Sequence, residues 1–240
     1  MALHKDFPTS PHEILDPSIR WFPADEALRA TSFEKLLPPL VPELRKQVKA
    51  WRDSGYAKAT ETSGSLLNWW FKTAHLLPQS NGTMAEFQYY FAQREALETI
   101  VYLYDVVGIK DKYDLMRFDS SGAVSSRMFD ETWLRLVLKM ATGAGKTTVM
   151  AMIITWQVLN ALTYPKRNKD FSRAVFIVAP GLTVKERLLV LLPSEGSYYD
   201  EFNLCPSEAL RQKLNQAEVL IENWHSLMPL KEVDRSVVKK

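Results

Sequence analysis

The most constraining feature of the chain is a short segment, Ala141-Thr142-Gly143-Ala144-Gly145-Lys146-Thr147, set between two apolar runs. Closely spaced glycines let a backbone turn sharply and aim successive N–H groups inward, and a helix starting at once adds the positive end of its dipole. Such a turn is built to hold phosphate, and it dictates its neighbours. A strand must deliver the chain to the turn, and a helix must carry it away. Both are legible: residues 134–140 predict a strand, and residues 146–162 predict a long, largely buried helix. In this arrangement Lys146 is placed for the β- and γ-phosphates of a nucleotide and the Thr147 hydroxyl for Mg²⁺, as in the P-loop pattern. The strict pattern asks for glycine at position 140, where this chain has Met140.

The grammar beyond the turn is α/β. Residues 173–179 are rich in Val, Ile and Phe without alternation, as expected of a parallel strand covered on both faces. Thr183 with Glu186 three residues later predicts a capping box opening a helix to about Leu192. A further helix is expected over 207–216, followed by a strand over 217–222. Strands alternating with helices imply a parallel, doubly wound sheet, here the beginning of a RecA-like lobe over 131–240.

The front of the chain is different. Residues 1–37 carry Pro8, Pro11, Pro17 and Pro23 with no sustained period, and read as an extended arm with one short helix near 25–30. Residues 38–118 read as a helical section. Val41, Leu44, Val48 and Trp51 recur at helical steps and predict a helix over 42–53, with Pro42 in its first turn and Gly55 at its exit. A second helix is expected over 66–77. A third is expected over 85–106, with Gly108 as its C-cap. The spacing of Trp51, Trp69, Trp70, Tyr89 and Tyr90 suits a buried face better than a stacking platform for bases. A polar run, 119–126, reads as the connection to the α/β part.

Composition mainly excludes. With 46% hydrophobic residues the chain can bury a core, and a net charge of +2 is too mild to argue for a polyanionic partner. The apolar stretch from Val149 to Leu162 is broken by Thr155, Gln157 and Asn160 and is too short to span a membrane. The first residues lack the basic and apolar pattern of a secretory signal, so a cytoplasmic location is expected. Lone Cys205 and four scattered histidines predict neither a disulfide framework nor a structural metal.

The form Met140-Ala141-Thr142-Gly143-Ala144-Gly145-Lys146-Thr147 resembles motif I of superfamily 2 helicases, and most of all that of the Res subunits of type III restriction enzymes and related phage-defence helicases. Further residues share the resemblance. Gln93, in Tyr90-Phe91-Ala92-Gln93-Arg94, is similar to the adenine-reading glutamine upstream of motif I, with Phe91 or a nearby tyrosine as the stacking aromatic. Ala179-Pro180-Gly181-Leu182-Thr183 resembles motif Ia, which implies that Pro180, Gly181 and Thr183 touch the nucleic-acid backbone. Ile221-Glu222-Asn223-Trp224-His225 resembles the strand end preceding the catalytic acidic box. The resemblance implies an ATP-dependent DNA helicase or translocase, a hydrolase using ATP and Mg²⁺. It implies that Thr142, Gly143, Ala144, Gly145, Lys146, Thr147 and Thr148 contact the nucleotide, with Lys146 and Thr147 as the catalytic pair. It further implies double-stranded DNA as partner, with a methyltransferase subunit beside it.

The Asp-Glu pair that would hold Mg²⁺ and polarise water is not found where it belongs. Asp25-Glu26 lies in the arm, Asp130-Glu131 at the wrong end of the first strand, and Asp200-Glu201 in an expected loop. The chain is therefore expected to be an N-terminal portion of a larger motor, with negligible turnover by itself. Two other readings are compatible with the residues: a non-catalytic, nucleotide-dependent interaction module, and a P-loop NTPase outside the helicases.

Overall fold

A computed structural model describes residues 10–14, 40–79, 81–119, 122, 124–125, 127, 133–195 and 197–228. The short helix expected near 25–30 and the Asp25-Glu26 and Asp130-Glu131 pairs lie outside these residues. The fold is mixed α/β, with a small parallel sheet, and divides into two compact units, residues 1–152 and 153–240.

In the first unit, α1 (Val41–Asp53) forms where predicted, with proline in its first turn, and the chain leaves it through Gly55 at φ +77°. Helix α2 (Glu61–Lys72) starts five residues earlier than expected, because the Thr60 side chain accepts the Ser63 N–H and caps it. It also ends earlier. Residues 75–77 and 85–87, expected to be helical, instead lie in the antiparallel hairpin of β1 (His75–Pro78) and β2 (Met84–Phe87). The turn between them passes through Asn81 and Gly82, the latter at φ +80°, with the Gln79 N–H bonded to the Thr83 carbonyl at 2.7 Å. An Asn-Gly pair between short apolar runs is a hairpin signal that outweighs the apparent helical period.

Helix α3 (Phe91–Val101) follows, passes into a π-helical turn (Tyr102–Val107) and stops at Gly108, φ +67°, the expected C-cap. Helix α4 (Lys112–Met116) is capped by Asp111. Trp51, Trp70 and Tyr89 are buried, as expected of a core face.

One side-chain cluster ties α1, α3 and the turn after α1 together. The Glu98 carboxylate is fully buried and accepts from Arg52 at 2.7 and 2.5 Å, from Arg94 at 2.8 Å and from the Tyr56 hydroxyl at 2.6 Å. Arg94 also donates to the Tyr56 oxygen at 3.1 Å. Burial, with the Glu98 charge second, pushes the Tyr56 phenol well above its ordinary range.

The expected strand over 134–140 does not form: these residues enter no ladder among the described ones. Their side chains keep a strand-like alternation, with Leu134 and Leu136 packed on the Leu103, Ile109, Leu115 and Phe118 cluster while Val137 stays 81% exposed. An apolar run supplies side chains for a strand but not the neighbouring backbone that a ladder needs. Helix α5 (Lys146–Thr163) forms as predicted, and the division between the units falls within it.

In the second unit, β3 (Ala174–Ala179) pairs in parallel with β4 (Glu218–Asn223), Ala174 facing Glu218 and Ala179 facing Asn223. The expected two-sided burial of this strand is met on one face only: Ile177, Ala179 and Ile221 are buried, but Phe176 (53%), Val178 (47%) and Leu220 (55%) are exposed. Between the strands lie α6 (Leu182–Leu188), α7 (Ser197–Glu201) and α8 (Glu208–Leu214), the last capped by Ser207. The expected capping box at Thr183 is absent. Helix α6 starts two residues earlier, with Gly181 as its N-cap, so Thr183 is already inside it and exposed. Asp200, expected in a loop, is in α7 and pairs with Arg211 at 2.9 Å.

Two outcomes are expected of these interactions. Glu98→Gln would leave the buried Arg52 and the partly buried Arg94 undercompensated and destabilise the fold by about 3–5 kcal/mol, read as a lower urea midpoint. Burial, opposed by Arg211, pushes the Cys205 thiol from its ordinary 9.0 up to about 12. The raised thiol is neutral in the folded chain, so its contribution is complete below pH 9.0 and is lost as pH rises from there toward 12. Denaturation midpoints should fall across that window, and Cys205→Ala should flatten the fall.

Candidate nucleotide-binding site

The phosphate-type turn begins at Ala141 and ends at the first residue of α5. Gly143 (φ +80°) and Gly145 (φ +73°) both take the left-handed backbone that side chains disfavour. The Ala144 N–H closes on the Ala141 carbonyl at 3.3 Å, and the Val149 N–H takes the Gly145 carbonyl at 3.2 Å, so the helix ladder starts inside the turn. Lys146 opens α5 and bends back across the turn, its Nζ donating to Ala141 O at 2.9 Å and Met140 O at 3.4 Å. The ammonium therefore lies at the mouth of the glycine turn. Thr147 is half-buried and Thr148 is buried at the start of the helix. Two positive-φ glycines at a helix start, an ammonium and a hydroxyl fit a polyphosphate with its Mg²⁺.

Gln93 comes to this turn from 52 positions upstream: its Nε2 donates to the Gly145 carbonyl at 3.4 Å. Its Oε1 accepts the Tyr90 N–H at 2.7 Å, which caps α3. The side chain thus spans from the start of one helix to the start of another, and it is 5% exposed. One of its two N–H bonds and one lone pair remain after these contacts. The approach is close enough that a Cβ at Gly145 would run into Gln93 Nε2.

The aromatic residues sort differently than their spelling suggests. Phe91 is buried, with the Arg52 guanidinium over its ring at 5.4 Å. The exposed ring beside Gln93 is Tyr90, at 38%, and its neighbour is His12, whose ring centre lies 5.3 Å away. His12 is held by a contact of Nδ1 with the Tyr89 carbonyl at 3.2 Å, and Pro11 O accepts the Phe91 N–H at 2.8 Å. Sequence reading placed these arm residues apart from the site, because a link between Pro11 and Phe91 carries no local signal.

Pro180, Gly181 and Thr183 lie in the second unit, at the carboxyl end of β3 and the start of α6. Strand β4 ends beside β3, and Lys185 of α6 pairs with Glu222 at 2.7 Å. The Lys185 ammonium, with the Ser226 hydroxyl at 3.3 Å, holds the Glu222 carboxyl below its ordinary range. Asn223 accepts the Ser226 N–H and caps the short turn that carries Trp224 and His225. This Lys185–Glu222 pair was not singled out from sequence; a helix residue and a strand residue 37 positions apart show no spacing. Among the described residues no group of His, Cys, Asp and Glu is placed to hold a metal ion, and no helix is long and apolar enough to cross a membrane.

Gly145→Ala is expected to abolish nucleotide binding, measured by equilibrium titration, because the added methyl strikes Gln93 at a backbone angle that disfavours it. Adding Gln93→Ala should remove the clash and restore part of the binding; no restoration would assign the whole effect to the backbone.

A family model described as type III restriction enzyme, res subunit, matches residues 86–235, more than half of the chain. No curated protein and no solved structure matches it.

Proposed function

This chain belongs to the family of type III restriction enzyme Res subunits, and we propose that it is the ATP-gripping part of a DNA translocase of restriction type. Membership accounts for helicase-type ATP use. The contact that carries the finer reading is the bond from Gln93 to Gly145, which joins an upstream glutamine to the phosphate turn within one unit. An unrelated P-loop protein has no reason to bring an amide there.

In this reading the backbone of the turn, from Thr142 through Gly143 and Ala144 to Gly145, surrounds the phosphates. Lys146 releases its two carbonyl partners to neutralise them, Thr147 supplies its hydroxyl to the Mg²⁺ that accompanies ATP, and Thr148 steadies the first helical turn. Gln93 offers its remaining donor and acceptor to one edge of adenine. Because its other N–H is on Gly145, base and phosphate recognition share one side chain. Tyr90, exposed beside it, takes the stacking role more readily than Phe91, whose ring is occupied by Arg52.

Pro180, Gly181 and Thr183 contact the DNA backbone. Support for Thr183 comes from its freedom: no capping duty engages its hydroxyl, and it is exposed. The strands β3 and β4 are taken as part of a RecA-like sheet that begins near residue 131, behind a helical section over 38–118. Double-stranded DNA and a methyltransferase subunit are the partners this family assignment suggests, in a cytoplasmic setting.

Lys146→Ala should weaken ATP binding at least about tenfold, some 1.4 kcal/mol, while leaving the unfolding midpoint in place. Gln93→Ala should erase a preference for ATP over GTP. Equal binding of both nucleotides by the unaltered chain would remove the adenine role.

A further inference from the structure

Helix α3 begins at Tyr90, which lacks the short side-chain oxygen that usually closes a helix start and makes no side-chain cap bond. Two acceptors from elsewhere take over. Gln93 Oε1 accepts the Tyr90 N–H at 2.7 Å, and the Pro11 carbonyl accepts the Phe91 N–H at 2.8 Å. The Phe91 N–H is one of the first-turn donors that a helix cannot satisfy from within, so its partner has to come from outside α3. It comes from the N-terminal arm.

His12 fixes that partner in place. Its Nδ1 meets the Tyr89 carbonyl at 3.2 Å, and since a carbonyl only accepts, Nδ1 carries the proton in this contact. The His12 ring centre lies 5.3 Å from that of Tyr90, and its backbone N–H bonds to the Ser10 hydroxyl at 3.3 Å. The Glu13 N–H closes on the Ser10 carbonyl at 3.2 Å. Residues 10–13 are thus a small closed turn, stiffened by the fixed φ of Pro11, that grips three consecutive residues from Tyr89 to Phe91. The Glu98 cluster holds α3 through the side chains of Arg94 and Glu98, whereas the arm holds a backbone group at its first residue.

We infer that His12 is a positioning residue: it sets the Pro11 carbonyl against the start of α3 and so keeps the Gln93 amide at the Gly145 carbonyl. Gln93 reaches back to Tyr90 with one end and on to Gly145, at 3.4 Å, with the other. A contact of that length has little slack, and a small displacement of the helix start takes it out of hydrogen-bond reach. His12 is half-buried and Pro11 and Glu13 are exposed, so this turn acts on the site without belonging to the core. The effect on ATP rests on the nucleotide-binding reading above; the effect on α3 does not.

The test uses the whole chain, unaltered and as His12→Ala, His12→Asn, Gln93→Ala and the double variant His12→Ala with Gln93→Ala. The first readout, without nucleotide, is hydrogen exchange at the Tyr90 amide, whose partner is Gln93 Oε1. His12→Ala should speed it about tenfold. His12→Asn, which places an amide N–H near the Nδ1 position, should restore the slow rate. The second readout is ATP titration: His12→Ala should lower affinity about fivefold, and should add no loss once Gln93 is alanine. The unfolding midpoint, expected to stay in place, checks that each variant is folded. An unchanged Tyr90 rate in His12→Ala, or no restoration by asparagine, overturns the positioning role. An equal loss of ATP affinity with and without Gln93 overturns the route through the amide. If the unaltered chain binds no ATP, the nucleotide reading falls and the exchange rates alone decide whether His12 holds Gln93.

Discussion

A buried carboxylate with three donors around it organises the first unit. Glu98 is fully buried, and Arg52, Arg94 and Tyr56 all donate to its carboxylate. Each donor comes from a different place: α1, the neighbouring turn of α3, and the turn that follows α1. The penalty for leaving such a charge alone is large, and it fixes how these segments meet. Arg94 directly follows Gln93, and Arg52 also covers Phe91. The first turn of α3 is therefore held from both sides. An amide that must reach Gly145 from that turn depends on this.

The phosphate turn and α3 are linked by a single side chain whose two ends do different work. Its oxygen closes the start of α3, and its nitrogen meets the carbonyl that also starts the ladder of α5. Any movement of the glycine turn is felt at Gly145 and hence at Gln93. Glycine is favoured at 145 by its left-handed backbone, and a Cβ there would also push the Gln93 amide off the Gly145 carbonyl. At Gly143 only the first reason applies, since a Cβ there would meet open space.

In the second unit the polar contacts are placed at the carboxyl ends of a parallel strand pair. Lys185 and Glu222 tie α6 to β4, and Asn223 and Ser226 fix the turn beyond it. Loops at this end of a parallel sheet are where α/β folds carry their ligands. The exposed apolar face of Phe176, Val178 and Leu220 lies on the strands themselves, so the sheet has an apolar surface that the described residues do not cover.

Local chemistry alone determined a good deal. The glycine turn with its lysine, the long helix after it, the β-rich runs that became β3 and β4, the helix capped by Ser207 and the stop at Gly108 were all readable, because backbone angle, capping and side-chain period act over a few residues. The Asn81-Gly82 hairpin was equally local, yet a helical-looking period masked it. Tertiary structure decided what depends on partners far along the chain. Residues 134–140 have the side chains of a strand but no ladder, since pairing needs a second backbone. Thr183 lost its capping role to Gly181 because the helix start was set by the exit of β3. Phe91 turned inward to Arg52 and left Tyr90 exposed, a choice made by a guanidinium 39 positions away in sequence. The same holds for the glycine turn that leads into Lys146 and Thr147. Its glycine geometry and its lysine were written in seven consecutive residues, whereas its connection to Gln93, and through Tyr90 to His12, joins segments far apart in the chain that no local pattern links.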